Sequence, residues 1–151
     1  MTTFRNRVAV LHGVNFDVLD RRDPEVYGGL SLSELERKIS DWAHEFGLEP
    51  IFFQTNSEGE FCEYLHRSID LADSIIVNAG AWTHYSRAIA DALELTRLPA
   101  VEVHLSDVEA RDEWRKLSVF DGLVVAKISG RGPDGYREAL EMLATKLEVT
   151  P

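Results

Sequence analysis

A short polar stretch, VEVHLSD at 101–107, carries residue types that can transfer a proton. Glu102, His104 and Ser106 alternate with apolar residues, and a β-strand places side chains two apart on the same face. A carboxylate beside an imidazole can accept one ring N–H, which fixes the tautomer and favours the charged, proton-donating ring. The stretch therefore predicts a general acid together with the carboxylate that orients it.

Two cations follow this stretch. Arg111 and Arg115 are four residues apart, and a helix would place them on the same side. An acid and two cations within residues 101–115 suit an anionic, oxygen-rich substrate. The same residues also fit an edge strand with one solvated face, followed by ordinary surface ion pairs, so this stretch alone leaves both interpretations open.

Composition limits the classes of protein. A length of 151 residues, 44% of them hydrophobic and 28% charged, suits a single globular domain over residues 1–151. The net charge of -10 argues against a nucleic-acid partner, although clustered arginines can still form a positive pocket. A single cysteine, Cys62, excludes an internal disulfide and a cysteine-rich zinc site. With neither a membrane-length apolar run nor a signal pattern, we expect a cytoplasmic protein with no membrane partner.

Five apolar runs alternate with segments of helical period. The run at 75–77 and the run at 123–125 are continuous and β-branched, which is typical of strands buried on both faces. This alternation predicts a doubly wound α/β fold with a five-stranded parallel sheet and helices on both faces. A capping box at Ser31–Glu34 and a stop at Gly47 bound the first long helix. The predicted strands span 7–11, 50–55, 74–78, 100–105 and 123–129.

Polar residues collect where the predicted strands end, which is where open parallel sheets bind ligands. Asn15 follows the first strand, Asn78 ends the third, and His84 comes shortly after it. The connection from Asn15 to the capping box is long, charged and punctuated by Pro and Gly, so residues 16–30 (the lid segment) are predicted to close over a substrate. The alternative is a flexible surface loop without a role. Polar residues 54–58 lie at the end of the second predicted strand, and the VEVHLSD stretch ends the fourth. Four polar strand ends at one rim favour an enzyme.

Taken in order and spacing, these motifs resemble the type II 3-dehydroquinate dehydratases, over about residues 8–147. The resemblance implies a flavodoxin-like fold and a cofactor-free, metal-free hydro-lyase acting on 3-dehydroquinate. It also implies a homo-oligomer, a dodecamer built as a tetramer of trimers. The matching motifs are Gly13-Val14-Asn15, Arg21-Arg22-Asp23-Pro24, Val26-Tyr27-Gly28, Phe53-Gln54 with Asn56 and Glu58-Gly59, Asn78-Ala79-Gly80-Ala81 with Thr83-His84, residues 101–106 with Ala110-Arg111 and Arg115, and Gly130, Gly132 and Gly135-Tyr136.

The resemblance also implies roles for individual residues in an anti elimination through an enolate. Tyr27 would be the base that removes the proton beside the ring ketone, and a phenol with an ordinary pKa near ~10 needs activation, which Arg22 would supply. Asn15 would stabilise the enolate oxygen. His104, oriented by Glu102, would protonate the departing hydroxyl and so release 3-dehydroshikimate.

A second group of residues would hold the substrate. Arg115 is the best candidate for a bidentate grip on a carboxylate, with Arg111 in support. Asp91 matches a position that reaches a neighbouring subunit's site in the family. The implied substrate-binding set is Asn78, His84, Asp91, Leu105 through its backbone, Ser106, Arg111 and Arg115.

Several positions depart from the family's usual pattern. We expect Tyr85 and Glu109 to alter the shape or charge of the pocket. The departures leave open a divergent paralogue that acts on, or only binds, another cyclic polyhydroxy acid. A non-catalytic flavodoxin-like module is a further alternative, although the loop after the first strand lacks the residues of a receiver or a flavin carrier. The departing residues include His12, Val14, Phe16, Asp20, Asp23, Tyr85, Ala90 and Glu109.

Overall fold

Five parallel strands form one sheet of order β2-β1-β3-β4-β5 in the computed structural model, which describes residues 5–150. The expectation that the chain begins without a signal pattern rests in part on residues 1–4, which lie outside that range. All the pairings are parallel. The prediction of a five-stranded parallel sheet is confirmed. The strands are β1 (Arg7–His12), β2 (Glu49–Gln54), β3 (Ser74–Asn78), β4 (Ala100–Val103) and β5 (Ala126–Ile128).

Helices cover both faces of the sheet. On one face α2 and α5 pack against Val8 and Val10, and on the other α3 and α4 pack against Ala9 and Leu11. This confirms the doubly wound arrangement. Over residues 5–150, none of the helices has the length and apolar composition needed to cross a membrane. The helices are α1 (Pro24–Tyr27), α2 (Leu32–Glu45), α3 (Glu58–Leu71), α4 (Arg87–Thr96) and α5 (Asp134–Lys146), with short 3-10 helices at Phe16–Arg21, Gly80–His84, Val108–Ala110 and Glu113–Lys116.

The sequence signals for β3 and α2 are confirmed. Every residue of Ser74–Asn78 is buried, because β3 lies between β1 and β4 with a helical layer on each face. Ser31 caps α2 in a complete capping box, in which its hydroxyl accepts from the Glu34 N–H and its own N–H donates to the Glu34 carboxylate. Gly47 follows the helix with a φ of 76°, a left-handed conformation that suits glycine.

Two predicted strands are longer than the observed ones. Residues 123–125 form a turn instead of a strand, and Val125 is 50% exposed. β5 is an edge strand with β4 as its single neighbour. Only residues 126–128 of the apolar run pair with β4 in register. The fourth strand ends at Val103 because the carbonyls of Leu105 and Ser106 accept from N–H groups of a glycine-rich loop.

Gly13 brings the loops after β1 and β3 into direct contact. Its N–H donates to the Asn78 carbonyl at 2.8 Å. A Cβ at this position would lie 2.2 Å from the Ala79 carbonyl oxygen. The close approach requires glycine and fixes the position of Asn15, two residues later.

We expect Gly13→Ala to destabilise the protein by about 3 kcal/mol or more, because backbone on both sides of the contact must move. Gly59→Ala is the matched control, since its Cβ would meet nothing closer than the Ser57 hydroxyl at 4.0 Å. The control should unfold within about 1 kcal/mol of the parent chain. Equal unfolding free energies for the two variants in a denaturant titration would contradict this account.

Candidate active site

A cavity of about 150 Å³ opens at the carboxyl ends of β1, β3 and β4. Its lining comes from the lid segment, the loops after β1 and β3, and the loop and turns after β4. Glu102 lies behind His104, whereas Asp91 is exposed on α4, beside Glu94, outside this cavity. The predicted site residues that line the cavity are Asn15, Arg22, Tyr27, Asn78, His84, His104, Leu105, Ser106, Arg111 and Arg115.

Glu102 and His104 form a buried pair. Glu102 is fully buried on an internal strand, and its Oε2 lies 2.5 Å from His104 Nε2. A carboxylate only accepts, so Nε2 carries the hydrogen and Nδ1 is left to face the cavity. The alternative of a solvated edge strand is wrong, because β4 lies between β3 and β5.

Ser118 completes the environment of the Glu102 carboxylate. Its hydroxyl lies 2.9 Å from both carboxylate oxygens and also accepts from the Phe120 N–H at 3.1 Å. Sequence reasoning missed Ser118, because it lies in a turn sixteen residues beyond Glu102 with no motif around it. The serine and the imidazole together satisfy a carboxylate that would otherwise be costly to bury.

Two guanidinium groups converge on the Tyr27 phenol oxygen. Arg22 donates to it through Nη2, and Arg111 donates through Nη1 at 2.8 Å. The Arg22 guanidinium carbon also lies 4.1 Å from the centre of the Tyr27 ring, within cation–π range. Arg111 Nη1 further donates to the Ser106 hydroxyl at 3.2 Å. Arg111, predicted to support Arg115 in holding a substrate, also ties the lid segment to the loop after β4.

The lid segment is folded. Its first part is the 3-10 helix Phe16–Arg21, and its second is α1, which Asp23 caps by accepting from the Glu25 N–H at 3.0 Å. Phe16 is buried in the core, and Gly28, with a φ of 89°, ends α1. The segment brings Arg22 and Tyr27 to the cavity wall, and its closure over a substrate stays a prediction.

His84 stands beside His104 at the cavity wall. Its Nδ1 lies 2.7 Å from the Leu117 carbonyl oxygen, which can only accept, so Nδ1 is the protonated nitrogen. The two imidazoles stack with their centroids 6.4 Å apart. Burial lowers the pKa of the His84 imidazole below its ordinary 6.5, with repulsion from His104 and Arg115 in the same direction and the hydrogen bond to Leu117 opposing it. The ring is therefore neutral at pH 7, with Nε2 as an acceptor.

Arg115 lines the cavity and has no close carboxylate partner in the described part of the chain. Its guanidinium stacks on Trp114, 4.1 Å from the ring centre. Within residues 5–150 its buried Nε makes no hydrogen bond, and Asp112 Oδ2 is 3.8 Å away. A guanidinium at the cavity wall whose nearest carboxylate lies 3.8 Å away favours an anionic ligand in the cavity.

Asn15 and Asn78 are held by different means. Asn15 has a left-handed φ of 73°, and its N–H donates to Asn56 Oδ1 at 2.8 Å. Gln54 supports the same loop by donating to the Gly13 carbonyl at 3.2 Å. Asn78 is nearly fully buried at the end of β3. The cavity wall therefore includes the amide residues Asn15 and Asn78.

Two departures from the family pattern lie away from the cavity. Tyr85 is 63% exposed, and Glu109 pairs with Lys127 of β5 at 3.8 Å. Neither side chain lines the cavity. The expectation that they reshape the pocket is wrong for the cavity of this chain, because both side chains point to its outer surface. Val14 and Phe16, two other departures, do line it.

The family model "Dehydroquinase class II" matches residues 6–144. The chain belongs to the class II dehydroquinase family. The 3-dehydroquinate dehydratase of Syntrophotalea carbinolica is 44% identical, and the alignment covers 95% of this chain and 97% of that protein. The crystal structure of the type II dehydroquinase from Propionibacterium acnes superposes with a TM-score of 0.88 at 37% identity, covering 95% of this chain and 99% of the other.

A second solved structure gives the same result. The type II dehydroquinase from Butyrivibrio crossotus superposes with a TM-score of 0.88 at 33% identity, covering 92% of this chain and 97% of the other. The flavodoxin-like fold implied by the resemblance is thus confirmed, and so is the family.

A titration of the His84 imidazole tests the environment described for it. We expect the folded ring to titrate below pH 6.5 in a nitrogen-detected NMR titration, because burial penalises its charged form. The neutral ring should carry its hydrogen on Nδ1. The same ring in the urea-denatured chain provides the reference, and a folded midpoint equal to or above that reference would contradict the environment described.

Proposed function

We propose that this family member dehydrates 3-dehydroquinate to 3-dehydroshikimate without a cofactor. The observation that carries the proposal is that a phenol held by two guanidinium groups and an imidazole held by a carboxylate line one cavity. The first can serve as a base and the second as an acid. The names of the relatives support the choice of substrate.

The first step is proton abstraction. The Tyr27 oxygen, as phenolate, takes a proton from the carbon beside the ring ketone, and the electron pair moves to form an enolate. Hydrogen bonds from Arg22 and Arg111 stabilise negative charge on the phenol oxygen before the transfer. Asn15, at the end of β1, is the candidate partner for the enolate oxygen. This step leaves Tyr27 as a neutral phenol.

The second step is loss of water. The enolate electrons re-form the ketone and create a carbon–carbon double bond conjugated with it, while the hydroxyl leaves with a proton from His104 Nδ1. Glu102, at 2.5 Å from Nε2, stabilises the charged ring before the transfer and keeps its orientation afterwards. His104 then takes the proton that Tyr27 gives up, so the chain returns to its starting state.

The remaining polar residues define how the substrate is bound. The Arg115 guanidinium at the cavity wall suits the substrate carboxylate, which a guanidinium can bind through two hydrogen bonds. His84 Nε2, Asn78 and Ser106 offer partners for the ring hydroxyls, and the backbone at Leu105 adds another. This set gives the cavity donors and acceptors suited to a small cyclic acid.

We also propose that a neighbouring copy of the chain contributes Asp91. The carboxylate is exposed on α4, away from the cavity of its own chain, as a residue serving another subunit's site would be. The assembly proposed from the resemblance is a tetramer of trimers. No observation on the cavity favours another cyclic acid over 3-dehydroquinate, and membership of the family argues against a non-catalytic flavodoxin-like module.

The assay follows the ultraviolet absorbance of the conjugated product after mixing the chain with 3-dehydroquinate. We expect turnover by the parent chain and a loss of about 10²–10⁴-fold in kcat for Tyr27→Phe and for His104→Ala, because each removes a proton-transfer group. Tyr85→Phe is the matched control for the phenol, since Tyr85 is exposed and outside the cavity. It should retain the parent rate.

No absorbance change at high enzyme concentration would overturn the proposal. Saturable binding of 3-dehydroquinate without turnover would favour the divergent paralogue. Parent-like rates for folded Tyr27→Phe or His104→Ala protein would leave the activity standing but refute the assigned role.

A further inference from the structure

Tyr136 is a buried residue in the first turn of α5 that the proposed mechanism does not use. The helix approaches the sheet closely here, because a Cβ at Gly135 would lie 3.2 Å from Ile128 Cγ2 and 3.4 Å from Val103 Cγ1. This approach brings the Tyr136 hydroxyl to Asn78, whose Nδ2 donates to it at 3.2 Å. A core side chain thereby touches a residue of the cavity wall.

The other end of the Asn78 amide fixes which atom faces Tyr136. Asn78 Oδ1 accepts from the Gly80 N–H at 3.4 Å, and a backbone N–H can only donate. Nδ2 must therefore lie on the Tyr136 side. Since an amide nitrogen carries two hydrogens, one goes to Tyr136 and the second is left for a ligand in the cavity.

The Tyr136 hydroxyl belongs to a buried polar layer beneath the cavity. Burial raises the pKa of Tyr136 well above its usual range, with the Glu36 carboxylate adding to this and the Asn78 hydrogen bond opposing it, so the phenol stays neutral. His12 is fully buried with its ring centre 6.4 Å from that of Tyr136, and its Nε2 lies 3.2 Å from Glu36 Oε2. His12 and Asn78 are also register partners in β1 and β3.

We propose that Tyr136 is a positioning residue that aims the free N–H of Asn78 at an oxygen of the bound cyclic polyhydroxy acid. The inference rests on the proposed function, in which Asn78 contacts that substrate. Without the Tyr136 hydroxyl, Nδ2 loses its partner within the chain, and only the 3.4 Å contact between Oδ1 and the Gly80 N–H still orients the amide. The substrate would then meet a less well ordered donor, and binding would weaken more than the chemical steps.

The experiment compares Tyr136→Phe with Tyr64→Phe. The second variant removes a hydroxyl from a mostly buried tyrosine in the core on the other face of the sheet. We expect Tyr136→Phe to raise KM for 3-dehydroquinate about tenfold with kcat within about twofold, and Tyr64→Phe to change neither. On an Asn78→Ala background, Tyr136→Phe should add nothing, since the amide it positions is gone. Equal effects of the two phenylalanine variants, or additive effects in the Asn78→Ala background, would overturn the inference.

A second readout on the same proteins does not depend on activity. In the parent chain, one of the two Asn78 side-chain amide hydrogens should exchange with solvent more slowly than the other, and the difference should disappear in Tyr136→Phe but not in Tyr64→Phe. Equal exchange in the parent chain would overturn the inference even if the enzyme is active. Unequal exchange in an inactive parent chain would instead refute the proposed function and leave the positioning of Asn78 intact.

Discussion

The buried carboxylate of Glu102 is the constraint on which the candidate site depends. A carboxylate with no access to water must be held by donors, and losing one donor of a buried ion pair typically costs about 3–5 kcal/mol. His104 and Ser118 supply those donors from two different segments. The same contacts fix the imidazole with Nδ1 toward the cavity. The stability of the strand end and the orientation of the acid thus have one cause.

The Tyr27 phenol oxygen is likewise held by donors from two segments. Tyr27 accepts from two guanidinium groups, one within the lid segment and one beyond β4. Since guanidinium groups only donate, their convergence on one oxygen makes sense where negative charge develops on that oxygen. Arg111 also contacts Ser106, so the proposed base and a proposed substrate-binding hydroxyl share one support. The proposed acid and base line one cavity, as an elimination requires.

Much of this arrangement could be predicted from the sequence, for reasons that differ by residue. β3 and the cap of α2 have strong local signals, because burial on both faces and a capping box each leave a clear pattern. The strand predicted at 123–129 was too long, because an apolar run does not reveal that it belongs to a sheet edge. Ser118 carries no local signal, since its partner is distant in the chain.

The phenol and the imidazole are the central pair, and exchange of the substrate's own hydrogen separates their roles most directly. In heavy water, NMR of unreacted 3-dehydroquinate would be followed with His104→Ala and with Tyr27→Phe. If Tyr27 forms an enolate before His104 releases water, folded His104→Ala protein should place deuterium on the carbon beside the ketone without elimination, and Tyr27→Phe should place none. Deuterium incorporation by Tyr27→Phe, or its absence with His104→Ala, would contradict this account.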